Sequence, residues 1–247
     1  MSELSGGAPC WLELGGTPSA DVLAHYAAHL GWTYDMNPED SGYRRAFADG
    51  FKVAGFGGPA EPRPERGWRV YIAVDDVDAG RELAVHAGAP ALGAIISVPD
   101  GRFAWLHHPL GGHMGLFESQ TDPGTAVCPG VGRISGWTQE SPDCDGVRSF
   151  HQAVFGPGFP TLVDYQTSTR AGWIVRVTAE VDHALDLQDP AGNRLRLEPA
   201  TPSDRTAAGS GRRALKSFTC ENLDEVHHRM RARNLLRPQG NDGAEAT

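Results

Sequence analysis

Four times along this 247-residue chain a short β-prone run leads through a turn or cap into an amphipathic helix. CWLELGG (10–16) precedes PSADVLAHYAAHLGW (18–32), and WRVYIAVDDV (68–77) precedes DAGRELAVHAGA (78–89). GRISGWTQES (132–141) precedes PDCDGVRSFHQAVFG (142–156), and LKSFTCEN (215–222) precedes LDEVHHRMRARNLL (223–236). A unit of this size cannot bury its own apolar face, so repetition calls for copies packed on one another. In the first helix Val22, Tyr26 and Leu30 stand at i, i+4 and i+8, with Ser19 placed to cap and Gly31 to stop it. In the third, Val147, Phe150, Val154 and Phe155 make the cleanest apolar stripe of the chain.

Strand-like runs fill the intervals. YRRAFAD (43–49), FKVAGFGG (51–58), AIISVPD (94–100), RFAWLHHP (102–109) and HMGLFES (113–119) follow the first two helices. FPTLVDYQT (159–167), GWIVRVTAE (172–180), HALDLQDP (183–190) and NRLRLEPA (193–200) follow the third. The order β-α-β-β-β therefore occurs once before residue 60 and again over 68–119. GGPAEPRPERG (57–67) reads as a Pro-rich linker, SQTDPGTAVCPGVG (119–132) as a boundary and TPSDRTAAGSGRR (201–213) as a joint. The expected class is α+β, with βαβββ modules forming curled mixed sheets.

Several function classes drop out early. Lys and Arg total 22 against 31 Asp and Glu, a formal charge of −9, which argues against nucleic acid as a partner. No apolar run reaches the roughly 18–20 residues a bilayer requires, and MSELSGGAPCW lacks a signal-peptide pattern, so a soluble, cytoplasmic protein without membrane partners is expected. The cysteines at 10, 128, 144 and 220 form neither a dense disulfide set nor a CxxC knuckle; Cys10 and Cys220 read as buried thiols in strands. His227 and His228 sit in a basic helix face, and neither GFGGP (55–59) nor FGPGFP (155–160) can serve as a phosphate loop.

PCWLELGGTPSADVLAHYAAHLGW, WRVYIAVDDVDAGRELAVHAGA and PDGRFAWLHHPLGGHMGLFE together resemble the vicinal oxygen chelate superfamily of glyoxalases, bleomycin-resistance proteins and extradiol dioxygenases. SPDCDGVRSFHQAVFG and LQDPAGNRLRLEPA extend the resemblance, and the CWLEL start and the length are most similar to tandem glyoxalase-like proteins of actinobacterial type. The resemblance implies a complete two-module domain over 1–120 whose sheets curl into a cup. Over 131–247 it implies an abbreviated second domain: one module over 132–200 plus a terminal strand-helix unit. The open edge of that unfinished sheet must be covered, either by the first domain or by a second copy in a homodimer.

Metal-dependent relatives take four ligands from the first and last strands of two modules. The matching positions here are Trp11, Ala54 or Gly55, Arg69 and Gly115, with Gly136 and Arg196 in the third module. None offers a carboxylate or imidazole, so no metal and no other cofactor is expected. Glu13 and His113, one strand alternation away, supply only two donors; His107 opposite His113 across the hairpin would supply two zinc donors but no third.

By strand alternation the cup wall holds Trp11, Glu13, Arg69, Tyr71, His113 and Phe117. Trp11, Tyr71 and Phe117 would stack a flat ligand, Arg69 would pair with an oxyanion, and Glu13 and His113 would move protons. Against this, the aromatics also suit a core, Glu13 with Arg69 a structural ion pair, and His113 plain packing. The leading expectation is a metal-independent enzyme on an aromatic or polyketide-like small molecule, in antibiotic or other natural-product metabolism. The alternatives are a protein that sequesters a drug or metabolite, as in resistance, and a metal-dependent lyase, isomerase or dioxygenase.

Overall fold

The computed structural model describes residues 7–36, 43–57, 67–110, 112–121, 124–125 and 127–210. The fourth strand-helix unit, with Cys220, His227 and His228, lies outside the described residues, as does most of the 57–67 linker.

The first half follows the expected grammar. Strand β1 (Pro9–Leu14), helix α1 (Ala20–Leu30) and strands β2 (Thr33–Met36), β3 (Arg44–Ala48) and β4 (Phe51–Phe56) form one βαβββ module. Strand β5 (Trp68–Ala73), helix α2 (Val77–His86) and strands β6 (Ala91–Val98), β7 (Gly101–His107) and β8 (His113–Ser119) form another. They join in one eight-stranded sheet, order β2-β3-β4-β1-β5-β8-β7-β6. Within each module the first and last strands run parallel, and β1 meets β5 antiparallel, so the modules are related by a pseudo-twofold axis.

Local chemistry sets the helices. Ser19 accepts from the Val22 amide at the start of α1, and Gly31 ends it with φ 67°, a left-handed value that costs glycine least. Val22, Tyr26 and Leu30 are its buried face, as the spacing requires. For α2 the cap is Asp76, accepting from the Asp78 and Ala79 amides.

The second sheet contains β9 (Ile134–Ser141), β10 (Asp164–Thr167), β11 (Gly172–Ala179), β12 (Leu185–Gln188) and β13 (Arg194–Pro199), with helix α3 (Cys144–Phe155) after β9. A last helix, α4 (Pro202–Ser210), follows. The sheet order is β10-β9-β11-β13-β12. Its pairing organises residues 134–199 otherwise than as one βαβββ module. β9 is parallel to β10 and antiparallel to β11, and β11 is parallel to β13, which repeats the β4-β1-β5-β8 centre of the first sheet, while β12 pairs antiparallel with β13 as β7 does with β8. The sequence reading counted these strands correctly but placed them in a single module, because which strand pairs with which depends on contacts far apart in sequence.

One continuous core joins both sheets. It runs from Leu12, Val70 and Ile72 through Phe150, Val154 and Phe155 to Val175, Val177 and Leu197. Polar anchors fix the seam: Trp32 Nε1 donates to the Gly132 carbonyl at 2.7 Å, and Arg133 pairs with Asp49 at 3.2 Å while lying over the Phe51 ring. The turn DPAGN docks through buried Asp189, which accepts from the Ala191 and Asn193 amides, Asn193 Nδ2 and, at 3.0 Å, the Tyr26 hydroxyl of α1. Replacing Asp189 by Ala strands these donors and is expected to cost about 3 kcal/mol in urea unfolding, while Tyr26→Phe costs about 1 kcal/mol.

Candidate functional site

The register of the first sheet writes the cup floor in two rows. Arg45, Gly55, Glu13 and Arg69 stand side by side across β3, β4, β1 and β5. Trp11, Tyr71, Gly115 and Trp105 make the neighbouring row across β1, β5, β8 and β7. Directly opposed residues share a face, so one row is charged and the other aromatic. Beyond the aromatic row Phe103 opposes Phe117.

A pocket opens over these rows, lined among others by Trp11, Glu13, Tyr43, Tyr71, Phe103 and Phe117, with Arg45 and Asp100 also on its wall. It is a cleft open to solvent, with about 690 Å³ of empty space once the solvent at its mouth is counted. Glu13 is its innermost charge. Its carboxylate faces the Arg69 guanidinium at 3.5 Å and accepts the Tyr71 hydroxyl at 3.2 Å, and all three side chains are buried. Arg69 lies over the Trp105 ring, 5.0 Å from its centroid, and the Trp105 and Tyr71 rings stand 4.6 Å apart. Burial, and then the charge of Glu13, raise the Tyr71 phenol well above its ordinary pKa, so it remains a hydrogen-bond donor at neutral pH. Trp11 Nε1 donates to the Tyr43 hydroxyl at 3.0 Å. At the mouth Arg45 holds Asp35 through two bonds of 3.3 and 3.0 Å, and Asp100 accepts from Thr121.

The glycines in these rows are part of the construction. A Cβ on Gly55 would overlap the Tyr43 hydroxyl, one on Gly115 the Tyr71 ring, and one on Gly15 the Arg69 guanidinium. Two positions where a ligand side chain was sought in β4 and β8 are thus backbone only, their space filled by aromatic side chains of the same chain. Among the described residues no three His, Cys, Asp or Glu side chains converge. The carboxylate in the row, Glu13, is already engaged by a cation and a phenol. This donor set does not fit a divalent metal.

Trp11, Glu13, Tyr71 and Phe117 are brought together on the pocket wall, as the alternation implied. Arg69 sits beside Glu13 in the same row but does not line the pocket. His113 shares the sheet face but begins β8, where it opposes His107 with the ring nitrogens 3.4 Å apart; it does not line the pocket. Cys10 is a buried free thiol beneath the aromatic cluster, its pKa raised by burial. Sequence reasoning missed Tyr43, Arg45, Asp100, Phe103 and Trp105. Arg45 and Tyr43 alternate with buried Ala46, a signal that was present; Asp100 reaches the mouth only through the β6–β7 turn.

The second sheet offers a different surface. Gly136, Arg176, Arg196 and Asp186 form its corresponding row, and Arg176 pairs with Asp164, Arg194 with Glu140, and Arg196 with Asp186. That face carries matched charges where the first sheet has aromatics.

No protein-family profile matches the chain. It is 31% identical over 166 residues to "Putative glyoxylase CFP32" of Mycobacterium bovis, a match spanning 63% of this chain and 62% of the relative's own length. The fold is similar to the Mn(II)-bound glyoxalase of Novosphingobium aromaticivorans, with a TM-score of 0.55 and 13% identity over 83% of this chain and 91% of the other. It is likewise similar to homoprotocatechuate 2,3-dioxygenase of Brevibacterium fuscum in complex with 3,4-dihydroxyphenylacetate, with a TM-score of 0.57 and 12% identity, covering 83% and 89%.

Proposed function

Since this chain has the fold of the vicinal oxygen chelate superfamily, we propose that it is a metal-independent enzyme acting on a planar aromatic small molecule in the first-sheet cup. The observation that carries the proposal is the pair Gly55 and Gly115, whose side-chain space is filled by Tyr43 and Tyr71. The likeness to proteins called glyoxylase and dioxygenase supports a small-molecule substrate.

In this reading the ligand ring stacks against Trp11 and Phe117, aromatic contacts worth about 0.5–1.5 kcal/mol each beyond burial. Glu13 takes a proton from an acidic C–H or O–H of the ligand and returns it at a neighbouring atom. Arg69 orients Glu13, and the Tyr71 phenol supplies a hydrogen bond to the same carboxylate. His113 stands at the far end of the sheet face with His107, so the proton chemistry rests on Glu13. Residues 1–120 are the catalytic unit in this proposal and 131–247 an abbreviated support. The shared core favours the first of the two covers expected for the support; in a homodimer a second copy would add at β10 or β12, the sheet edges.

The test uses tag-free, chelator-treated protein and a panel of phenolic and polycyclic compounds, followed by Trp quenching and product analysis. Quenching and turnover are expected to survive chelation. Glu13→Gln should lower turnover roughly 100-fold while quenching persists. Loss of turnover on chelation, restored by one added metal, would overturn the proposal.

A sequestering protein is the second reading. It is favoured by the fact that Glu13 already faces Arg69 and Tyr71, whose phenol is held protonated. Recovery of every quenching compound unchanged would decide for it.

A further inference from the structure

The charges on the wall of the first-sheet pocket are not answered equally by the protein. Glu13 faces Arg69 at 3.5 Å, and Arg45 gives Nε and Nη2 to Asp35 at 3.3 and 3.0 Å. Asp100 lines the same pocket and forms no ion pair among the described residues. Its Oδ1 accepts the Thr121 hydroxyl at 2.9 Å, a neutral donor, and its Oδ2 has no hydrogen-bond partner among those residues. We propose that the organic ligand of this pocket carries a protonated amine and that Asp100 receives it. The inference rests on the reading of the cup as a small-molecule site and adds the charge of the molecule it selects.

The carboxylate stands on a fixed base. Asp100 follows Pro99 in the two-residue turn closed by Val98 opposite Gly101, and proline restricts the backbone there. The Asp100 carbonyl accepts the Gln120 amide at 2.9 Å and the Thr121 amide at 3.4 Å, which ties the turn to the end of β8. A Cβ on Gly101 would overlap the Glu118 carbonyl, so the two segments are in close contact. An acceptor held in this way loses little freedom when a cation binds. Lys52 lies within electrostatic range of Asp100 but does not form an ion pair with it.

The rest of the lining favours the same sign of charge. Trp11, Tyr43, Tyr71, Phe103 and Phe117 present aromatic rings, whose faces attract an ammonium group and repel a carboxylate. Arg45, the cation on the wall, is already bound along one edge of its guanidinium by Asp35. The formal charge of −9 on the chain draws cations in the same direction. A flat ring between Trp11 and Phe117 with an amine towards the mouth satisfies the aromatic walls and Asp100 together.

Three probes of one shape test the inference by calorimetric titration into the full-length protein at pH 7: naphthylethylammonium, naphthylethanol and naphthylacetate. The ammonium is expected to bind roughly 10-fold tighter than the alcohol, and the carboxylate weakest. Asp100→Asn keeps the oxygen that accepts from Thr121 and removes the charge, so the ammonium-to-alcohol affinity ratio should fall to about 1. Added salt should lower that ratio in the wild type and leave it unmoved in the variant. Trp11→Ala should weaken the ammonium and the alcohol alike, which locates both in the pocket. A wild-type ratio near 1, or a preference for the ammonium that survives Asp100→Asn, overturns the inference while the pocket reading stands. Binding of none of the three overturns both.

Discussion

Acidification from pH 7 to pH 4 is expected to remove about 6 kcal/mol of folding stability through two histidines at the seam between the sheets. His108 and His151 are 1% and 0% exposed, their rings 5.2 Å apart and nearly perpendicular. His108 Nδ1 accepts the Leu110 amide, His151 Nδ1 contacts the Tyr165 hydroxyl at 3.0 Å, and the buried Nε2 atoms of both have no hydrogen-bond partner among the described residues. Phe155, Phe159 and Trp173 complete the cage around His151. Burial, and then the His107 imidazole for His108 and the His108 imidazole for His151, lower the pKa to about 4 for His108 and about 3 for His151. Below pH 6.5 the unfolded chain therefore takes up protons that the native chain refuses. Stability is full above that pH and falls by about 1.4 kcal/mol per unit for each histidine until the native groups titrate. A loss of this size is comparable with the whole stability of many domains. Urea unfolding across pH 4–7 checks it, and His151→Leu should halve the slope whatever it does to the baseline. An unchanged slope would refute the linkage.

Gly115→Ala is expected to be the most damaging single-methyl change in the cup. The new Cβ would overlap the Tyr71 ring, which is packed against Trp105 at 4.6 Å and edge-on to Phe103 at 5.7 Å. With no room to retreat, Tyr71 must leave its rotamer and its bond to Glu13. Overpacking of this kind costs about 1–3 kcal/mol, and the lost bond about 1 kcal/mol more. Thermal unfolding and the near-UV dichroism of the aromatic cluster would report both. Tyr71→Phe, which keeps the ring and removes the hydroxyl, should cost only the smaller part. If Gly115→Ala were neutral, the space above β8 would be open and the metal argument from that position would fail.

How much of this was legible follows the range of each interaction. The stripes Val22, Tyr26, Leu30 and Val147, Phe150, Val154, Phe155 are buried as their spacing requires, because helix periodicity is written within a dozen residues. His151, four residues after Val147, belongs to the same buried stripe, yet its polarity hid it from an apolar pattern. Trp11, Glu13, Tyr71 and Phe117 were placed on one wall by simple alternation, which survives an error of two residues but would be inverted by a slip of one. Trp105 and Phe103 were missed because their role depends on β7 lying beside β8, and Asp100 because a turn carries it there.

The amino-acid order alone determined the strand-helix repeat and the caps. These follow from steric preference, apolar periodicity and the chemistry of single side chains, all local properties. Only the tertiary structure decided that Gly55 and Gly115 are filled from neighbouring strands, that β9 pairs with β11, and that Asp189 locks onto Tyr26. Each of those is a meeting of residues distant in sequence. It is selected by the burial of a shared core, whose free energy belongs to the whole chain and to no single segment.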